Sequence, residues 1–207
     1  MKQRGRQHAP RVATCPGAWS AALLPLLVGL LALIGPAGAA QAFELLSVQA
    51  KNQDDAYLLR IEARFAASPE QLLAVLTDYD SIHELHPRMV ESRSLGRVAP
   101  DTEEVVTRFE GCVLMFCRDV QRVEQIRVEE RALVAKDVPR RGSFREGTTT
   151  WRFEALENGT RLHYESRFVP AFSVAPVVGP LVLMRSVREM TIETMREVDK
   201  RAVRLDD

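Results

Sequence analysis

Most of residues 57–168 alternate apolar and polar side chains with a period of two, and the chain then changes to a period of three to four that lasts to Ala202. That switch narrows the possible folds more than any other feature. A period of two lines one face of a strand, whereas a period near 3.6 lines one face of a helix. The chain therefore describes a set of strands followed by one long helix.

The first strand is the cleanest. Tyr57, Leu59, Ile61, Ala63 and Phe65 fall on one face, and Leu58, Arg60, Glu62 and Arg64 on the other. Ser68-Pro69-Glu70 then opens a short helix, with Ser68 as N-cap and Pro69 at the first helical position. A second short helical stretch covers Tyr79 to Leu85 and stops before Pro87, since the residue preceding proline disfavours helix. Beyond Pro87 the pattern is all strand: Met89 to Val98, Glu103 to Glu110, Cys117 to Val128, Ala132 to Val138, Thr148 to Ala155 and Thr160 to Phe168. Val105, Thr107 and Phe109 share a face, as do Trp151 and Phe153. In the last strand Leu162, Tyr164 and Phe168 oppose Arg161, His163, Glu165 and Arg167. Glu157-Asn158-Gly159 reads as a hairpin turn.

From Leu183 the apolar positions are Met184, Val187, Met190, Thr191, Thr194, Met195, Val198 and Ala202. They predict an amphipathic helix of about five or six turns. The expected order is strand, two short helices, six strands, long helix: an α+β fold with a curved antiparallel sheet of about seven strands. A sheet face must be covered, and only the C-terminal helix is long enough to do it. A curved sheet gripping one helix leaves space between them.

Residues 1–42 have a different character. Lys2, Arg4, Arg6 and Arg11 make a basic start, Ala21 to Ile34 is apolar but for Pro25 and Gly29, and small residues end in Ala40-Gln41-Ala42. This tripartite pattern predicts a secretory signal peptide cleaved after Ala42, with residues 43–207 as one exported, periplasmic domain. The alternative is a retained membrane anchor, although the apolar run is short of the roughly 20 residues of a span. The chain balances 28 basic against 28 acidic residues, and the four charges before Phe43 are all basic, so residues 43–207 are net acidic. An acidic domain argues against nucleic acid and against electrostatic binding to anionic lipid.

Two cysteines follow Ala42, namely Cys112 and Cys117. In one strand they would lie about 17 Å apart, at about 3.4 Å per residue, too far for a disulfide. Glu103 to Val128 is too long for one strand, however. A reversal over Val113-Leu114-Met115-Phe116 would set the cysteines opposite each other, and a disulfide is expected in an exported protein; a reduced, buried pair is the alternative. An apolar hairpin tip is unusual. It folds over a cavity, meets a partner, touches a membrane transiently, or packs on its own core.

The order of elements resembles the helix-grip fold of the START-like (SRPBCC) superfamily, and more closely its bacterial polyketide cyclase/dehydrase and coenzyme Q-binding branch. The stretches that carry the resemblance begin with Ser68-Pro69-Glu70, Leu76-Thr77-Asp78-Tyr79-Asp80, His86-Pro87 and Val90-Glu91-Ser92. Gly111 to Cys117, Asn158-Gly159-Thr160 with Tyr164, Pro170-Ala171-Phe172 and Pro176 to Pro180 complete them. The resemblance implies an apolar ligand in a cavity under the last helix. Candidate cavity residues are Tyr79, Phe109, Leu114, Phe116, Trp151, Phe153, Tyr164, Phe168, Met184, Val187, Met190 and Met195. Aromatics on such strand faces are more often core than ligand wall, and methionine also simply fills cores.

Catalytic signals are weak. Ser166 and His163 fall on opposite strand faces, and there is no Gly-x-Ser-x-Gly elbow. Asp80, His83 and His86 share a helical spacing but lack a recognised ligand pattern, and ordinary hydrogen-bonded side chains are expected there. Gly142, Gly147 and Gly159 read as turn or strand-edge glycines. No catalytic residue, metal or cofactor is expected. The reading is a monomer that binds or transports a hydrophobic small molecule: a lipid, an isoprenoid quinone or a polyketide-like compound. The alternatives are a cyclase/aromatase-type enzyme, which needs titratable groups inside the cavity, and a periplasmic interaction module with a filled core. The alternation places most charges outward, which speaks against the enzyme.

Overall fold

A computed structural model describes residues 43–113, 116–174 and 179–206. The proposed signal peptide and the tip residue Leu114 lie outside these. Eight antiparallel strands form one open sheet in the order β1-β2-β8-β7-β6-β5-β4-β3. They are β1 (Glu44–Gln53), β2 (Ala56–Phe65), β3 (Met89–Ala99), β4 (Thr102–Val113), β5 (Phe116–Glu129), β6 (Ala132–Asp137), β7 (Phe144–Leu156) and β8 (Gly159–Pro170). Two helices complete the fold, α1 (Pro69–Thr77) and α2 (Gly179–Val203), with a 3-10 turn at Ile82–Leu85. This is the helix-grip α+β arrangement.

The sheet has one strand more than the alternation indicates. β1 is an edge strand, exposed along most of its length and held by its ladder to β2. With little apolar surface to bury, it has no clear period in its sequence. α2 also begins earlier than its apolar stripe, running 25 residues from Gly179.

Local chemistry fixes the other boundaries. Ser68 accepts from the Gln71 amide while the Gln71 side chain accepts from the Ser68 amide, a reciprocal cap that starts α1 behind Pro69. Leu156 pairs with Gly159 across a two-residue turn, and Gly159 has φ +103. A Cβ there would sit 2.0 Å from the Phe65 carbonyl oxygen, so the β7–β8 turn can close against β2 only with glycine.

The most tightly sealed part of the core lies between the sheet and the second half of α2, and Met184 of the first half also joins the core. Leu59, Ile61, Ala63 and Phe65 of β2, Leu162 of β8 and Leu72 of α1 enclose Met195, Val198 and Ala202, all essentially without solvent contact. Asp199 stands on the same buried stripe. Its Oδ1 accepts from the amides of Ala66 and Ala67, at 2.8 and 3.1 Å, and so ties α2 to the end of β2.

Candidate ligand-binding site

Under the first half of α2 the core opens into a cavity of about 240 Å³. Phe109, Val120, Phe144, Trp151 and Phe168 give it an apolar sheet wall, and Leu183, Val187 and Met190 an apolar helix wall. Trp151 packs edge-on against Tyr164, ring centroids 4.9 Å apart. Arg88 and Glu110 also line the space, and both are exposed.

Six candidates from the sequence meet here: Phe109, Trp151, Tyr164, Phe168, Val187 and Met190. Phe153, Met184 and Met195 belong to the packed core instead. Tyr79 is buried elsewhere, beside Glu103; burial first, then that carboxylate, push its hydroxyl pKa up to about 12. Phe116 opens β5 directly after the tip.

The inward charges are the main departure from expectation. Along β5 the residues Val120, Arg122, Glu124 and Ile126 share a face, opposite Phe109, Thr107, Val105 and Glu103 of β4. Glu124 in turn partners Asp137 of β6. The expectation that charges face outward fails here because the three ionisable groups answer one another. Arg122 donates from Nε to Asp137 Oδ1 at 3.1 Å and from Nη2 to Asp137 Oδ2 at 2.9 Å. Glu124 Oε1 stands 3.0 Å from the same Nη2. The side chains are 16 %, 12 % and 3 % exposed for Arg122, Glu124 and Asp137, so this is a buried cluster rather than a surface pair. Of the three, Arg122 lines the cavity, and its guanidinium carbon is 5.0 Å from the Phe144 ring centre.

Gly147 makes room for this cluster. A Cβ on it would fall 1.8 Å from Asp137 Oδ2. The absent side chain is therefore what lets the carboxylate lie against β7. In the sequence Gly147 looked like a strand-edge residue, because nothing along one strand shows which neighbour crosses it.

Next to the charges runs a line of hydroxyls. Thr149 Oγ1 and Ser166 Oγ are 2.9 Å apart on β7 and β8. Tyr164 hydrogen-bonds with Ser166 and with Thr191 of α2. Thr191 itself donates to the Val187 carbonyl at 2.8 Å, which leaves its oxygen free to accept. Burial raises the Tyr164 pKa, so the phenol keeps its proton at neutral pH. Burial also raises that of Glu124, against the pull of Arg122. Burial opposes the Arg122 charge as well, but Glu124 and Asp137 outweigh it and hold the guanidinium ionised. On this face Thr107 Oγ1 is buried without a hydrogen-bond partner, and Glu124 Oε1 has its ion-pair contact with Arg122 Nη2 but no well-aligned hydrogen bond.

His86 and His83 are hydrogen-bonded within the fold. His86 Nδ1 accepts from the Arg88 amide at 3.0 Å, and its Nε2 is 2.9 Å from Glu193 on α2. His83 and Asp80 bond to Ser92 and to the Ser94 amide. Among the described residues no group of three or more His, Cys, Asp or Glu is arranged to hold a metal ion. No helix of the described residues is long and apolar enough to cross a membrane.

Cys112 and Cys117 are direct register partners in the β4–β5 ladder, with Val113 and Phe116 paired beyond them. The chain therefore reverses where the strand length required.

Solved structures of the same fold include the Zhui aromatase/cyclase from Streptomyces sp. R1128, with 14% identity over 73% of this chain and 96% of that one, at a TM-score of 0.60. A STAR-related lipid transfer protein from Xanthomonas axonopodis matches at 13% identity over 78% and 99%, at 0.57. A protein from Thermus thermophilus matches at 15% over 72% and 99%, at 0.59. A search of curated protein sequences gives no match. The sequence profile described as polyketide cyclase / dehydrase and lipid transport matches residues 59–202. With that match over most of its length, and with the helix-grip fold, the chain belongs to the polyketide cyclase / dehydrase and lipid transport family.

Proposed function

We propose that the protein binds a hydrophobic small molecule between the sheet and the first half of α2 and carries it. The observation behind this reading is the cavity itself, about 240 Å³ with apolar walls on both sides. Burial of apolar ligand surface is favourable by about 25 cal/mol per Å², and a few polar groups then set orientation. The volume lies just below the roughly 300–1,000 Å³ of typical small-molecule sites. It suits a ring system or a single chain, such as an isoprenoid quinone head or a polyketide-like ring, better than a two-chain lipid.

The test is native mass spectrometry of protein purified from its own source, looking for a co-purified apolar compound. Met190→Trp should fill the cavity and lower uptake about tenfold or more while the domain stays folded, since the residues differ by only tenths of a kcal/mol in helix propensity. A Trp variant that binds as well as the parent would place the ligand elsewhere.

A cyclase/aromatase-type activity is the second reading. What favours it is the set of polar groups, Arg122, Tyr164 and Ser166, that lines an otherwise apolar space. We further propose that the domain works as an exported monomer beginning at Phe43. Sequence supports this: the basic, apolar and small-residue segments of residues 1–42. The apolar tip around Leu114 and Phe116 is proposed as the edge through which ligand enters from a membrane.

A further inference from the structure

We infer that the molecule in the cavity ends, at its inner end, in a neutral hydrogen-bond acceptor such as a carbonyl oxygen, and not in a carboxylate or phosphate. This rests on the ligand-binding reading above and names the chemistry of that ligand.

The charge count carries the inference. Arg122 is the cation of the inner wall, and it already faces two carboxylates. Asp137 holds it through a bidentate pair at 3.1 and 2.9 Å, and Glu124 Oε1 is 3.0 Å from the same Nη2. An anionic ligand would add a third negative group to one guanidinium in a poorly hydrated space, where like charges interact strongly. A neutral acceptor meets no such penalty. Arg122 has five N–H donors and Asp137 takes two of them. The Tyr164 and Ser166 hydroxyls lie on the same wall, but their protons are engaged with Thr191, Thr149 and each other, so the remaining Arg122 N–H groups are the donors that count. Gly147 shows that the cluster is built into the sheet, because the seat of Asp137 exists only where β7 lacks a side chain. At the rim, Arg88 and Glu110 are exposed and of opposite sign, so water and salt screen them.

Three probes of one ring system and similar shape test this: 2-acetylnaphthalene, 2-naphthoate and 2-ethylnaphthalene, titrated calorimetrically into the full chain at pH 7. The ketone should bind about tenfold tighter than either other probe, a difference of about 1.4 kcal/mol. Asp137→Asn leaves Arg122 facing one carboxylate fewer. It should raise naphthoate affinity about tenfold while leaving that of ethylnaphthalene unchanged. Naphthoate binding as tightly as the ketone to the unaltered protein would overturn the inference, and that ratio decides it even if Asp137→Asn does not fold. Equal binding of ketone and ethylnaphthalene would overturn it too, while the cavity reading stands. If none of the three binds, both fall together.

Discussion

Gly147 and Asp199 show how single positions set what this fold can hold. With a Cβ placed 1.8 Å from Asp137 Oδ2, Gly147→Ala must push the carboxylate off Arg122. That leaves buried charges without their partner, a change that costs about 3 kcal/mol or more. Urea unfolding should show a loss of that size; less than about 1 kcal/mol would mean that Asp137 has another seat. Asp199 makes a prediction in pH. Burial raises its pKa above the ordinary 3.8, against the amides of Ala67, Ala66 and Phe43, which favour the carboxylate. A raised pKa means that the folded state prefers the protonated form. The stabilisation it gives is full below the unfolded pKa and is lost as pH rises through the folded value. Asp199→Asn does not titrate, so its stability relative to the parent should improve from pH 4 towards neutrality. Parallel stability curves for the two proteins would contradict this.

Among the elements, legibility followed burial. β2 and β8 bury one face completely, so their alternation is plain and their limits fall within a residue or two of those read from it. β1 buries little and left no period. β5 has inward charges at Arg122 and Glu124 and a buried Val123 on the opposite face. Its two faces are therefore not apolar against polar, and the site it carries could not be read along the strand. The sign that was available is weaker: Arg122, Glu124 and Asp137 become neighbours only once β5 and β6 are paired. In α2 the signal was present, since Asp199 stands between Val198 and Ala202 on the apolar stripe. The β4–β5 hairpin gives an element-scale prediction. Because Cys112 and Cys117 are register partners, they should be oxidised if the domain is exported as proposed. The loop is short, so reduction should lower stability by only about 2 kcal/mol. Alkylation of both thiols in unreduced native protein would rule the bond out.

At the scale of the whole molecule, α2 has two unlike halves. Its second half is sealed: Met195, Val198 and Ala202 have no solvent exposure, and Asp199 is bonded to the chain beyond β2. Its first half spans the cavity and carries Leu181 at 74 % exposure. The first half is still tied to the core through Met184, but it packs over the cavity and is the less firmly held of the two. Amide protection reports local stability, which follows packing. Without ligand, hydrogen exchange should be slow over residues 195–202 and markedly faster over residues 181–190. Ligand should slow the second set and leave the first unchanged. Uniform protection along α2 would mean that the beam is stiff throughout. If the first half bends while the second stays fixed, the proposed ligand would enter by deflecting one end of the beam, and the anchorage that keeps the domain folded need never loosen to let it in.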